Sequence, residues 1–367
     1  MRRMHLSVLA AAAIGSLVLA GCGGDDDSDS TGTTEGGTPT VGVILPDSAS
    51  SARWETADRR FLGEAFEAAG VNYDIQNAEG DTAKFQTIAD GMINAGVDAL
   101  LIVNLDSETG SAVIGRASSA GIPTIDYDRL TLGGGAEYYV SFDNVAVGTA
   151  IGEGLVTCLQ DDGVTEGDVV LLNGSPTDNN ATLFKQGYES AITSAGYGVA
   201  DDQSVPDWDN TQAGTIFEQI FTSTGGDFVG VAAANDGLGG AVISVMDRNG
   251  LAGQVPVTGQ DATDEGLQRV LLGTQCMTVY KAIKKEADAA AELAVLLANG
   301  DTTAADALAS GSVDDTESGE QVKSVLLEPQ AIFADTVKDV VADGFTTAEN
   351  LCTSAELQAA CEEYGVE

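Results

Sequence analysis

The chain has 367 residues and is strongly acidic, with 57 Asp and Glu residues against 16 Lys and Arg residues and a formal net charge of −41. A surface of this charge repels nucleic acids and anionic lipid, so nucleic acid is excluded as a partner. Ordinary domains run to about 100–200 residues, so the length favours two domains, each with its own core.

The first 21 residues have the features of a lipoprotein signal peptide. Arg2 and Arg3 precede an apolar stretch, and small residues stand directly before Cys22. The stretch is too short for a comfortable membrane span, so we expect residues 1–21 to be cleaved. Cys22 would then carry a lipid that anchors the protein outside the cytoplasm, at the cell membrane. Residues 22–39 are rich in Gly, Asp, Ser and Thr and are predicted to form a flexible acidic tether.

From Thr40 onward, short β-branched runs alternate with amphipathic segments of helix length. This alternation is typical of parallel sheets covered by helices on both faces, so the predicted fold class is α/β. We expect two sheets of about five or six strands, divided near residues 141–144, and a surface loop over residues 301–319. The predicted strands are Val41–Leu45, Tyr73–Gln76, Ala99–Val103, Pro123–Tyr127, Tyr138–Phe142, Val169–Leu172, Gly198–Val205, Phe228–Ala233, Val255–Gly259 and Met277–Tyr280. The predicted helices are Glu55–Ala69, Lys84–Ala95, Thr109–Ala120, Val145–Leu159, Leu183–Ala195 and Leu238–Asn249.

Four cysteines remain after Cys22, an even number that suits disulfide bonds in an oxidising compartment and permits three pairings. The shortest loop joins Cys352 to Cys361, which leaves Cys158 with Cys276. The only histidine, His5, lies in the signal peptide, and no CxxC spacing occurs, so no metal site is expected. No phosphate-binding or dinucleotide-binding glycine motif occurs either, so no cofactor is expected.

Polar and aromatic side chains follow many of the predicted strands. In an open parallel sheet, ligands bind beyond the carboxyl ends of the strands, where these side chains would converge. Carboxylates, guanidinium groups and amides form paired hydrogen bonds that match the vicinal hydroxyls of a sugar, and indole faces suit the C–H faces of a pyranose. Taken singly, the tryptophans fit a core and several of the aspartates fit helix N-caps, but their shared edge favours a binding site. The candidates are Arg53, Trp54, Asp128, Arg129, Asp178, Asn180, Trp208, Asn235, Asp261 and Lys281.

Seven stretches, which together span nearly all of the chain after the signal peptide, resemble the periplasmic sugar-binding proteins of type I fold. The resemblance is greatest to the xylose-binding and multiple-sugar-binding proteins of ABC transporters. The stretches are SSARW (50–54), YDRL (127–130), SFDN (141–144), GSPTDNNA (174–181), GQDA (259–262), TVYK (278–281) and SVLLEP (324–329).

The resemblance implies two doubly wound parallel-sheet lobes joined by a three-segment hinge. The hinge would fall near Asp143, Gln275 and Pro329, and all ten candidate residues would contact the sugar. The implied lobes are an N-terminal one, residues 40–142 plus 277–328, and a C-terminal one, residues 143–276 plus 329–367. The acidic surface, the added cysteines and the tail from Ala348 to Glu367 depart from what the resemblance implies.

The implied function is that of an extracytoplasmic, lipid-anchored monomer that captures a monosaccharide, xylose or a related aldose, and delivers it to an ABC permease. An alternative is a lipoprotein that senses a sugar and presents it to a membrane receptor kinase. A second alternative is a glycosidase that uses Asp128 and Asp261 as its acid and nucleophile. An arginine beside a carboxylate keeps it ionised, which is wrong for a general acid, so we expect no enzymatic activity.

Overall fold

The computed structural model describes residues 37–367, of which residues 38–367 form one compact unit. The predicted signal peptide, the predicted lipidation site at Cys22 and most of the predicted tether lie outside the described residues. Among the residues described, no helix combines the length and the apolar character needed to cross a lipid bilayer.

The predicted alternation of strands and helices is present. The strands are β1 (Thr40–Leu45), β2 (Asn72–Asn77), β3 (Ala99–Ile102), β4 (Thr124–Tyr127), β5 (Tyr138–Phe142), β6 (Asp168–Asn173), β7 (Gly198–Ser204), β8 (Gly230–Ala233), β9 (Thr278–Tyr280), β10 (Gly311–Asp314), β11 (Gln321–Leu327) and β12 (Gln330–Ile332). The α-helices are α1 (Arg59–Ala69), α2 (Thr82–Ala95), α3 (Ser107–Ser119), α4 (Asn144–Asp161), α5 (Asn179–Ser194), α6 (Asn210–Thr224), α7 (Asp236–Arg248), α8 (Asp264–Leu271), α9 (Ile283–Ala298), α10 (Thr302–Leu308), α11 (Val337–Ala342), α12 (Ala348–Leu351) and α13 (Ala355–Tyr364).

The first sheet has seven strands in the order β10-β11-β5-β4-β3-β1-β2, and only β10 runs antiparallel to its neighbour. Alternate residues of β1 serve two cores. Val43 and Leu45 pack with α1 and α9, whereas Ile44 packs with α2 and α3. Helices on both faces explain why β1 reads as a continuous apolar run rather than as an alternating one.

The second sheet is smaller than predicted, with three parallel strands in the order β7-β6-β8. The prediction of a strand over Val255–Gly259 was wrong, because only one isolated bridge, between Val231 and Val257, forms there. Pro256 lacks a backbone N–H group and cannot donate to a ladder, although its carbonyl accepts from Val231. Strands β9 and β12 form a separate antiparallel pair.

The prediction of a surface loop over residues 301–319 was also wrong, because this segment contains α10 and β10. The carboxylate of Asp301 accepts a hydrogen bond from the backbone N–H of Ala304 and caps α10. Strand β10 forms a hairpin with β11 at the edge of the first sheet, and its mostly exposed side chains explain its polar sequence.

The chain passes three times between the regions of the two larger sheets. The first passage leads from β5 into α4, and α4 packs on α5 and β8. The second leads from β9 into α9, and α9 packs on α1 and β3. The third leads from β11 into β12, through Glu328 and Pro329.

The structure places Cys158 at bonding distance from Cys276, and Cys352 at bonding distance from Cys361, as the shortest-loop argument predicted. The first pair joins α4 to the segment before β9. The second pair joins the end of α12 to α13, and both of these short helices pack on α8.

We expect loss of the Cys158–Cys276 bond, in a Cys158→Ser, Cys276→Ser variant, to destabilise the protein more than loss of the Cys352–Cys361 bond. The first bond closes a sequence separation of 118 residues and the second a separation of 9, so the chain-entropy difference is about 2 kcal/mol. Urea unfolding of the two double-serine variants tests this ranking. Equal midpoints with equal slopes would contradict it.

Candidate ligand-binding site

The ten predicted site residues lie where strands end, and all are buried, with at most 8% of any residue exposed. Arg53 and Trp54 follow β1, and Asp128 and Arg129 follow β4. The others follow β6, β7, β8 and β9 or lie in the loop before α8. The structure brings all ten into one connected network of hydrogen bonds, ion pairs and ring contacts. That they contact a sugar remains a prediction.

Asp128 is at the centre of this network, in a left-handed backbone conformation with φ of 63°. Its Oδ2 lies 2.7 Å from Nη1 of Arg53 and 3.6 Å from Nζ of Lys281. Burial alone would raise the pKa of this carboxyl group, but the charges of Lys281, Arg53 and Arg129 outweigh burial and lower the pKa to about 2. Asp128 is therefore a carboxylate, able only to accept hydrogen bonds.

Lys281 connects Asp128 with Asp261. Its Nζ lies 3.4 Å from Oδ1 of Asp261, whose backbone is also left-handed, with φ of 95°. The other carboxylate oxygen of Asp261 accepts a hydrogen bond of 2.9 Å from the hydroxyl group of Ser51. The ammonium group thus lies between two carboxylates and forms an ion pair with each of them.

Asp178 organises the opposite side of the site. Its Oδ1 caps α5 by accepting from the backbone N–H of Asn180. Its Oδ2 accepts from Nε1 of Trp208 at 3.1 Å and lies 3.2 Å from Nε of Arg129. Gly174 lies against the indole, and a methyl group at this position would come within 2.1 Å of the ring. The glycine in GSPTDNNA is therefore needed to seat Trp208.

Four contacts join loops of the first sheet to loops of the second. Two are the Ser51 contact with Asp261 and the Arg129 contact with Asp178. In the third, Nδ2 of Asn180 donates to the carbonyl oxygen of Asp128 at 2.9 Å. In the fourth, Nδ2 of Asn235 donates to the carbonyl oxygen of Ser50 at 3.2 Å. The two sets of loops therefore meet directly across the site.

Arg53 is held by three acids, two of which the sequence analysis missed. Its guanidinium group donates twice to Asp58 and once each to Asp128 and Glu286. A π-helical turn, Trp54–Asp58, brings Asp58 next to Arg53. Four of the five guanidinium N–H groups are thus engaged by the protein, so the main interactions of Arg53 in this structure are structural.

Burial raises the pKa of Glu286 to about 8, although the positive charge of Arg53 opposes the shift. Asp128 and Asp58 lie close by and add to the increase. Among the described residues, Oε1 of Glu286 has no hydrogen-bond partner, which further disfavours its charged form. Glu286 therefore carries a proton at neutral pH, while Asp128 remains ionised.

Trp54 lies beneath two guanidinium groups. The Cζ atom of Arg53 is 4.4 Å from the ring centroid and that of Arg129 is 5.5 Å away, both within range of a cation–π attraction. Its Nε1 donates to the hydroxyl group of Ser50 at 3.1 Å. The two guanidinium groups and the hydroxyl group of Ser50 therefore fix the position of the indole ring.

Phe184 is a further residue at the site that sequence analysis missed. Its ring makes an edge contact with Trp208, with centroids 6.5 Å apart, and lies 5.9 Å from Nζ of Lys281. Phe184 is four residues after Asn180 on α5, so helical spacing was a usable signal.

Asp236, the neighbour of Asn235 in the sequence, does not join the network. Its carboxylate accepts from the backbone of Thr263 and not from any of the ten residues.

A cavity of about 540 Å³ opens beside this network, and Arg129, Asp178 and Trp208 contribute to its wall. The other walls come from the loops after β1, β2, β3 and β7 and from the start of α6. Among residues 37–367, no group of three or more His, Cys, Asp and Glu side chains is arranged to hold a metal ion.

Comparisons with known proteins find relatives of one kind, the periplasmic binding proteins. A family model described as the periplasmic binding protein domain matches residues 41–302. The D-xylose-binding periplasmic protein of Escherichia coli (strain K12) is 35% identical over 310 residues, which cover 83% of this chain and 90% of that protein. The multiple sugar-binding periplasmic protein of Azospirillum brasilense is 30% identical over 359 residues, or 92% of this chain and 96% of that one.

Solved structures agree with the fold. A carbohydrate transporter solute-binding protein from Chloroflexus aurantiacus, crystallised with D-glucose, superposes with a TM-score of 0.73 at 25% identity. The match covers 85% of this chain and 98% of the other. The fold is therefore the predicted type I α/β fold with parallel sheets, and the relatives are binding proteins rather than enzymes. The chain belongs to the periplasmic binding protein family.

Proposed function

We propose that this protein captures a monosaccharide, xylose or a related aldose, and delivers it to an ABC permease. The observation that carries the proposal is the convergence of two tryptophans and a connected set of charged and amide groups at one edge of two sheets. The relatives named for D-xylose binding and for multiple sugar binding support the same class of ligand.

The polar groups suit a polyhydroxylated ring. Asp128 and Asp261 accept hydrogen bonds, Lys281 and Arg129 donate them, and Asn235 can do both. A hydroxyl group of a sugar also donates and accepts, so a ring with several adjacent hydroxyls can bond to alternating members of this set. The faces of Trp54 and Trp208 would pack on its C–H groups.

In our proposal, the two lobes inferred from the sequence close on the sugar by bending at the hinge segments near Asp143, Gln275 and Pro329. The direct contacts between loops of the two sheets support it, because a ligand that bonds to both sides favours the closed form by its differential affinity. The permease would recognise the closed form.

We also propose that Cys22 carries a lipid anchor, that the tether holds the binding unit outside the cytoplasm, and that the protein acts as a monomer. The N-terminal sequence supports the anchor, since the apolar stretch and the small residues before Cys22 match a lipoprotein signal. Mass spectrometry of the membrane fraction tests it, because a Cys22→Ser variant should lose both the lipid mass and the membrane association.

Isothermal titration calorimetry with D-xylose, D-glucose, D-galactose and L-arabinose tests the ligand class. We expect at least one of them to bind with a Kd of about 1 μM or lower, which corresponds to about −8.2 kcal/mol. Small-angle scattering should show a smaller radius of gyration when that sugar is added. Absence of binding heat for every member of the panel would refute the proposal.

A further inference from the structure

The wall of the cavity is unusually acidic. Six of its side chains are carboxylates, whereas Arg129 is its only cationic side chain among the described residues. The carboxylates belong to Asp47, Glu79, Asp106, Asp178, Asp207 and Asp209. A sugar that reaches the network around Asp128 from this cavity passes these groups, so their charge acts on the ligand.

Helix N-termini at the cavity would ordinarily favour an anion, because their free N–H groups and helix dipoles are positive. In this chain, aspartate side chains already provide the negative charge at these N-termini. Asp106 caps α3 by accepting from the backbone N–H of Thr109. Asp178 caps α5, and Asp209 caps α6 by accepting from Thr211 and Gln212. A ligand carboxylate or phosphate therefore finds these three positions already occupied.

The negative and positive charges at the cavity wall do not cancel. Six carboxylates against one guanidinium group leave five net negative charges at the cavity. Four helix N-termini, those of α2, α3, α5 and α6, carry about half a positive charge each and reduce the net to about three negative charges. Arg129 offers an anion little compensation, because its Nε lies 3.2 Å from Asp178 and its charge also stabilises Asp128.

We infer that the cleft selects uncharged monosaccharides and rejects their anionic forms, namely uronates, aldonates and sugar phosphates. This inference rests on the proposed function and narrows its ligand class. A neutral hydroxyl group loses little in a negative field, whereas a ligand carboxylate is repelled both on entry and in the bound state.

A matched pair of ligands isolates charge from shape. A hexuronate and its hexuronamide have nearly the same size, but only the first is charged at pH 7. We expect the amide of D-glucuronic or D-galacturonic acid to bind at least about tenfold more tightly than the acid in calorimetry at low salt, and we expect added salt to narrow the gap. Equal affinities would overturn the inference. Binding of neither compound would also overturn it, because shape and not charge would then exclude the acid.

A triple variant, Glu79→Gln, Asp106→Asn and Asp209→Asn, tests the source of the selectivity. Asparagine caps helices about as well as aspartate, so the variant should keep the fold. The affinity of the variant for the amide shows directly whether the binding site is intact. We expect the ratio of amide to acid affinity to fall at least about threefold.

The control neutralises three exposed acids on α13 instead, through Glu356→Gln, Glu362→Gln and Glu363→Gln. It removes the same amount of charge from residues outside the cavity wall and should leave the ratio unchanged. An equal fall in both variants would assign the effect to overall charge and overturn the inference. Binding of a neutral aldose is measured first, so that failure of the proposed function is distinguished from failure of the charge selection.

Discussion

Replacement of Arg53 by alanine is expected to lower the free energy of unfolding by about 3–5 kcal/mol, because it leaves buried carboxylates without their partner. The side chain of Arg53 is 2% exposed, and its guanidinium group forms ion pairs with Asp58 and Asp128 and donates a hydrogen bond to Glu286. After the change, the hydroxyl group of Tyr127 is the one side-chain donor that Asp58 retains within the part of the chain that the structure describes. Urea unfolding of the purified protein at pH 7 measures the loss. A decrease of less than about 1 kcal/mol would contradict the assigned role.

Glu286→Gln provides the matched control, since it keeps the shape of the side chain and removes its ability to ionise. The pKa of Glu286 is raised from its ordinary value of 4.5 to about 8, so the folded protein holds a proton that the unfolded chain releases. The contribution of this group to stability is therefore present below pH 4.5 and is lost as pH rises to about 8.

We expect the free energy of unfolding of the wild type to fall relative to that of the Glu286→Gln variant by more than about 1 kcal/mol over this range. Parallel pH profiles for the two proteins would show that Glu286 is ionised in the folded state.

Asp261→Ala is expected to weaken monosaccharide binding by more than 1.4 kcal/mol, or about tenfold. The change removes an acceptor from the site, deprives Lys281 of one of its two anionic partners and breaks the Ser51 contact that joins loops of the two sheets. The affinity should fall even where the fold is intact, and calorimetry with the tightest-binding sugar measures it.

The control for this change is Asp264→Asn, three residues further along the chain. The carboxylate of Asp264 accepts from the hydroxyl group of Thr346 and contacts none of the ten site residues. We expect this variant to change stability slightly and sugar affinity less than twofold. Equal losses of affinity in both variants would indicate a general disturbance of α8 and would refute the specific role of Asp261.

The sequence correctly predicted the strands that can be recognised from their own residues alone. Buried, β-branched runs such as those of β1 and β3 need no distant partner to be recognised, because continuous apolar character already indicates a strand covered on both faces. The errors occurred where local signals were weak or in conflict. Pro256 interrupts an otherwise strand-like run, and β10 is polar because it lies exposed at a sheet edge.

The candidate site shows the same division. The position of Asp128 and Asp178 after strands indicated that they would share one edge, since parallel strands end on the same side. Their partners could not be predicted. Glu286 lies 233 residues from Arg53, and Asp58 lies five residues away across a π-helical turn, whereas α-helical spacing brings residues three or four apart together.

Residue order alone thus specified the α/β alternation, the edge at which polar groups collect and the chemical types present there, because each of these follows from periods of a few residues. The folded chain decides three further properties. These are which acid is ionised, which arginine already has its hydrogen-bond partners within the protein, and how negative the cavity is. These properties depend on distances between loops that are far apart in sequence and on burial that strengthens every charge–charge contact.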